Sequence, residues 1–176
     1  MTQYSKRMVI VHWLTLALLL AAWYLGDSLA DMTDESKATL AGYLIHMAVG
    51  ASVLVLVLTQ LLFRRKDGTP PKLNDKPVFQ AAAMGVQHLM YAVLFVLPLS
   101  GVVILLTSAA GKALLAWDAN LLPKEHGYHG VLAHEIHEQL VNVLIALAVV
   151  HILGALKHQF IMKDGLMERM MLRRKG

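Results

Sequence analysis

Four histidines stand where they can do chemistry that their surroundings normally discourage. His137 and His151 bound an almost wholly apolar run and lie 14 residues apart. On an α-helix that spacing separates them by about 21 Å along the axis and returns them to within roughly 40° of one face. One helix face thus offers an imidazole at two depths. His12 and His46 each lie near the start of another apolar run. An ionisable side chain inside lipid is costly, and is kept for a proton, an ion or a cofactor, or else hydrogen-bonds a neighbouring helix. Which role applies depends on the elements that carry it.

Those elements read as membrane spans. The chain has 176 residues with 57% hydrophobic content and a mean hydropathy of +0.55, too apolar for an ordinary soluble domain of its size. Predominantly apolar runs long enough to cross a bilayer cover about 8–26, 40–63, 79–107 and 132–156. The first is too long for a signal peptide and carries Trp13, Trp23 and Tyr24 near its ends, as an interface-anchored span does. Pro98 and Gly101 predict a bend in the outer half of the third. Residues 108–130 form the longest non-spanning stretch, with a short amphipathic helix expected around Lys112 to Leu122. The fold expected is an all-α, polytopic four-helix bundle forming a single membrane domain over residues 1–176.

Four spans put both termini and the loop near residue 70 on one side. That side holds 13 of the 16 Lys and Arg, leaving Lys37, Lys112 and Lys124 on the other. By the positive-inside rule the termini are cytoplasmic, and the localisation expected is the bacterial inner membrane. The net charge of +4 therefore reports topology, not a nucleic-acid partner.

With this orientation, depth follows from counting. His12 and His151 each lie about one turn from the cytoplasmic end of their spans, whereas His46 and His137 lie near the outer face. Two layers of paired imidazoles, each pair from two different helices, match what bis-histidine ligation of two stacked haems requires. Gly42, Ala48, Gly50 and Ala51 around His46, and Ala146, Ala148, Gly154 and Ala155 around His151, add room for a porphyrin, though small residues also serve helix packing. Cysteine is absent, which excludes disulfides and thiolate sites. Two histidine pairs about 20 Å apart without adjoining carboxylates make poor zinc sites. A proton relay would want acidic residues inside the spans, and only Glu135 and Glu138 stand near one, at its end.

The segments Val11-His-Trp-Leu14, Ile45-His-Met47, Thr69-Pro-Pro71, Ile136-His-Glu138 with His151, and Lys157-His-Gln-Phe160 followed by Lys163-Asp164 and Arg169-Met-Met171 resemble the bacterial cytochrome b561 family, particularly its superoxide oxidase members. The resemblance covers nearly the whole chain. It implies two haem b groups, with His12 and His151 as axial ligands of the inner and His46 and His137 of the outer. It also implies electron exchange with ubiquinone, with superoxide or another one-electron donor at the periplasmic face. Gln60 departs from the family pattern, since many relatives carry an arginine before this Leu-Leu pair; a cation for a haem propionate must then come from elsewhere, and Arg64 is the candidate.

Other residues carry two readings. His88, at nearly the inner layer, can meet a propionate, a quinone or a proton path, or make a structural hydrogen bond. His158, at the membrane edge below His151, can protonate a quinone head group or remain a solvated interfacial histidine. His126, His129, His134, Lys112 and Lys124 can draw a small anion, although Asp118, Glu125, Glu135 and Glu138 cancel much of that charge. The basic tail with Met170 and Met171 suits anionic lipid. The alternative function is a haem-bearing electron-transfer or anchor subunit serving a partner dehydrogenase or hydrogenase.

Overall fold

The computed structural model describes residues 3–30, 40–71, 76–122 and 132–172. Four helices in it are long and apolar enough to cross a membrane. They are α1 (Lys6–Ala30), α2 (Leu40–Asp67), α3 (Pro77–Thr107) and α5 (Leu132–Lys157), with the short α4 (Ala109–Ala116) and a 3₁₀ turn (Ala119–Leu121) after α3. No strand occurs among the described residues.

Local chemistry sets the helix ends. Proline in the first turn of α3 needs no N–H there, and the helix then carries Pro98 without interruption. At its far end the N–H of Ser108 closes on Ile104, and the Ser108 hydroxyl accepts from the N–H of Gly111 at 2.9 Å to open α4. Gly111 is required there: a Cβ would stand 1.9 Å from the Leu105 carbonyl oxygen. The short helix therefore begins at Ala109, earlier than the Lys112 expected from sequence, because Ser108 caps it and Gly111 lets it fold back on α3.

Helices α1 and α2 pack as one antiparallel pair, and α3 and α5 as another. The pairs join through α2 and α3, while α5 makes little backbone contact with α1 or α2. Between them lies a mid-bundle cluster of Val53, Val57, Val93, Leu94 and Leu144, flanked by Leu18, Leu19, Tyr91, Leu97, Leu140 and Leu147.

At the end carrying both termini, hereafter the basic end, the chain folds back on itself. Helix α5 runs on into a π turn (His158–Met162), and Lys163 and Gly165 adopt left-handed conformations that reverse the chain into a 3₁₀ turn (Met167–Met170). That turn is tied down by Tyr4 N–H to the Arg169 carbonyl (3.1 Å), Gln3 Nε2 to the Glu168 carbonyl (2.9 Å) and Trp13 Nε1 to the Met170 carbonyl (2.9 Å). Arg169 donates to the Pro71 carbonyl. Arg7 pairs with Asp67, with Nε to Oδ2 at 2.9 Å, which joins α1 to the end of α2.

Candidate haem-binding layers

The bundle brings the four histidines together as two pairs. His46 of α2 and His137 of α5 meet at the far end with ring centroids 6.3 Å apart and planes at 65°. His12 of α1 and His151 of α5 meet at the basic end with centroids 6.5 Å apart and planes at 58°. Metal–imidazole bonds of about 2.0–2.1 Å, with each ring centre about 1.1 Å behind its nitrogen, would put the centroids of two imidazoles facing one metal roughly 6.2–6.4 Å apart. Both pairs therefore fit one iron held between two imidazoles. Each pair also reaches from the α1/α2 half to the α3/α5 half, between helices that barely pack on one another. The apolar cluster from Val53 to Leu144 lies between the layers.

Second contacts differ from ring to ring. His137 Nδ1 lies 2.8 Å from the hydroxyl of Ser100, whose own proton goes to the Leu97 carbonyl at 2.7 Å. His46 Nδ1 is buried without a hydrogen-bond partner and faces α1, where the Ala22 carbonyl lies close enough to attract it but outside bonding geometry. Gly26, one turn from Ala22, gives the ring its space: a Cβ there would stand 3.1 Å from His46 Cε1. At the basic end His12 meets Trp13 edge-on at 5.5 Å.

Gln60, where the family resemblance led us to look for a cation, is 5% exposed. Its Nε2 donates to the Thr15 hydroxyl at 2.7 Å, and Thr15 donates to the Val11 carbonyl, also at 2.7 Å. That buried link and the Arg7–Asp67 pair set the register of α1 on α2. It puts Arg64, one turn beyond Gln60, close to the level of His12. Arg64 Nη1 is buried with no hydrogen-bond partner, and Tyr91 of α3 lies against the same guanidinium. The Arg64 side chain is half-buried and Tyr91 hydrogen-bonds it, so Nη1 is the nitrogen left to meet an anionic group.

His158 lies at the foot of α5, with Nδ1 2.6 Å from Asp164 Oδ2. Burial pushes the Asp164 carboxyl up, but the His158 ring and the Leu166 N–H outweigh it and hold the carboxyl below its ordinary value. His88 is not drawn into the basic-end pair; it is exposed on α3 and its Nδ1 bonds the Met84 carbonyl of its own helix at 2.8 Å. His134 stands one turn from His137 and near it electrostatically, and Lys112 lies on α4. His126, His129 and Lys124 fall outside the described residues. Among the described residues no three His, Asp or Glu side chains converge on a common metal position.

Sequence reasoning missed Ser100, Gly26, Tyr91 and the role of Asp164. Ser100 carried a signal, being the lone serine or threonine between Leu89 and Leu106 and lying at far-layer depth.

Known proteins resemble this chain along nearly its whole length. The model of prokaryotic cytochrome b561 matches residues 3–172. Cytochrome b561 homolog 1 of Escherichia coli (strain K12) is 29% identical over 99% of this chain and 100% of its own length. Cytochrome b562 of Cereibacter sphaeroides is 31% identical over 96% and 94%, and the probable superoxide oxidase CybB of Yersinia pestis is 27% identical over 99% and 98%. Residues 3–172 and four apolar helices thus carry the imprint of one family, and the chain belongs to the prokaryotic cytochrome b561 family of membrane-embedded, haem b-binding electron-transfer proteins.

Proposed function

We propose that this chain holds two haem b groups, one between His12 and His151 and one between His46 and His137, and passes single electrons between the two membrane faces. The observation that carries the reading is the spacing of the two imidazole pairs, 6.5 and 6.3 Å between ring centroids, each joining helices from opposite halves of the bundle. When bound, a bis-imidazole haem supplies a one-electron iron couple with no open coordination position.

The chain's own groups do the rest. His137, with Nδ1–H on Ser100, presents Nε2 as its ligand nitrogen. Arg64 would take a propionate at the basic end, in the role that Gln60 cannot fill. The aliphatic cluster between the layers keeps water out of the space between the two sites. His158, with Nδ1 bonded to Asp164, stands at the basic edge, where ubiquinone must be protonated on reduction. We place the basic end in the cytoplasm by the positive-inside rule, in the inner membrane of a bacterium.

The donor we infer is superoxide, which the name of the Yersinia pestis relative supports. Two superoxide anions each give up one electron and leave as O₂. The two electrons with two protons convert ubiquinone to ubiquinol. The test is superoxide delivered to haem-loaded, ubiquinone-supplemented protein. Quinol formed above the spontaneous rate, and lost in His137→Ala, is expected. Two bound haems without such quinol would remove superoxide and leave electron transfer from a partner dehydrogenase or hydrogenase, which stoichiometric co-purification would then identify.

A further inference from the structure

Ser100 is 8% exposed and sits on the turn of α3 that faces the far-end pair. Its hydroxyl has one proton, and the Leu97 carbonyl takes it at 2.7 Å. Toward His137 Nδ1, 2.8 Å away, the same oxygen has only lone pairs to offer. With the Leu97 carbonyl also acting on the ring, this arrangement of acceptors puts the hydrogen on His137 Nδ1. Nε2 then carries the lone pair and is the nitrogen free to bind a metal. The next residue, Gly101, brings bare backbone to this ring: a Cβ there would stand 3.8 Å from His137 Cε1. The ring is thus held by a hydroxyl at one nitrogen and bordered by a glycine. Its partner His46 has no hydroxyl at Nδ1, and the Ala22 carbonyl is the polar group nearest that ring.

We propose that Ser100 is a positioning residue for the far-end haem, fixing the tautomer and orientation of His137 and setting the reduction potential of that site. The proposal rests on the reading that His46 and His137 hold a haem. A donor at Nδ1 bonded to an acceptor makes the opposite nitrogen more basic. A more basic ligand favours the ferric over the ferrous state and lowers the potential. Each ring of the far-end pair has a backbone carbonyl near it, Leu97 for His137 and Ala22 for His46, and His137 alone adds a side-chain hydroxyl, that of Ser100.

The test uses the haem-loaded protein with Ser100→Ala and Ser100→Thr, measuring haem content, the potential of each haem and the low-spin ferric resonance. Ser100→Ala is expected to keep two haems, to shift the far-end reduction equilibrium roughly fivefold toward ferrous, in keeping with one ordinary hydrogen bond, and to leave the basic-end haem unmoved. The far-end resonance should change with the freed ring orientation. Ser100→Thr, which keeps the hydroxyl, should restore both. Should Ser100→Ala shed the far-end haem, its retention in Ser100→Thr supports the role through affinity, and loss in both variants overturns it. An unchanged far-end potential in a two-haem Ser100→Ala protein overturns the proposal alone. A wild-type protein with one haem, unaltered by His137→Ala, overturns the haem reading and the proposal with it.

Discussion

Replacing Gly26 by alanine should weaken the far-end haem without weakening the helix that carries the change. The new Cβ would lie 3.1 Å from His46 Cε1 and 3.5 Å from Nδ1, where unforced contacts begin near 3.4 Å, so the ring or α1 must withdraw by about 0.3 Å. Metal–ligand bonds tolerate about 0.2 Å, less than this shift, and His46 already faces His137 at a centroid distance of 6.3 Å, within the span of two imidazoles on one metal. Overpacking of this kind costs about 1–3 kcal/mol. At about 1.4 kcal/mol per factor of ten, that is roughly 5- to 150-fold in far-end haem affinity. Helix propensity acts in the opposite direction, because alanine is favoured over glycine in a helix by about 1 kcal/mol. A loss confined to haem therefore separates the contact from general destabilisation. The assay is the haem-to-protein ratio with a reduced-minus-oxidised spectrum across a haem titration. Gly85→Ala is the control, since a Cβ there meets nothing within 4 Å, and should behave as wild type. Gly26→Ala binding both haems with wild-type affinity, or Gly85→Ala losing as much, would refute the reasoning.

Ligand substitutions should act layer by layer. His12→Ala and His46→Ala each leave about half the haem, because the sites are about 20 Å apart along the helices, while His88→Ala keeps both, its ring being bonded to Met84 of its own helix; quantitative haem extraction decides. Arg64→Leu should lower the potential of the basic-end haem by removing a cation from its level, and leave the far-end potential alone, as a redox titration resolving the two would record. Asp164→Asn should loosen the fold-back segment and slow quinone reduction, read by hydrogen exchange over residues 163–170 and by steady-state rate. In the wild type the Asp164 carboxyl titrates below its ordinary value. Its contribution is therefore complete above that ordinary value and fades as pH falls through the depressed one. Protection over the segment, corrected for the intrinsic pH dependence of amide exchange, should hold from neutral pH down to the ordinary carboxylate value and fall below it.

The sequence made depth legible and left lateral facing hidden. Counting residues from the charged ends of each span assigned His12 with His151 and His46 with His137 to common levels, and the structure brings those rings to 6.5 and 6.3 Å. Depth needs only the rise per residue. Rotation about each helix axis needs a contrast between core and surface, and lipid removes it: Ile45 and Leu153 are exposed, Val53 and Val57 are buried, and all four are equally apolar. For that reason the small residue that makes room for His46 could not be picked out. The sequence pointed to neighbours on the same helix, Gly42 and Gly50. The contact instead comes from Gly26 of α1, whereas Gly50 meets nothing within 4 Å. Gln60 was legible as a departure, but its partner Thr15, 45 positions away, was not. The fold-back after His158 likewise depends on Lys163 holding a left-handed conformation, which a lysine does not announce.

The division of the bundle into two helix pairs gives the histidines a second consequence. Within each pair, α1 with α2 and α3 with α5, packing is continuous, whereas α5 barely touches α1 or α2. The apolar residues that reach across number few, and Leu144 is the only buried one that α5 supplies among the described residues. A core that thin cannot fix the separation of the halves by dispersion contacts alone. Each His pair takes one ring from either half, so an iron bound between them ties the halves at a set distance, once at each end of the cluster. On the proposed reading, ligation and folding would be coupled, and the group that carries the electron would also complete the bundle. The contacts that hold the ligands on their own half, Gly26 beneath His46 and Ser100 behind His137, are made within the pairs α1/α2 and α3/α5. They prepare each ring before its partner arrives, which is why a single methyl or a single hydroxyl there is expected to register in haem affinity or potential and not in the stability of the helices.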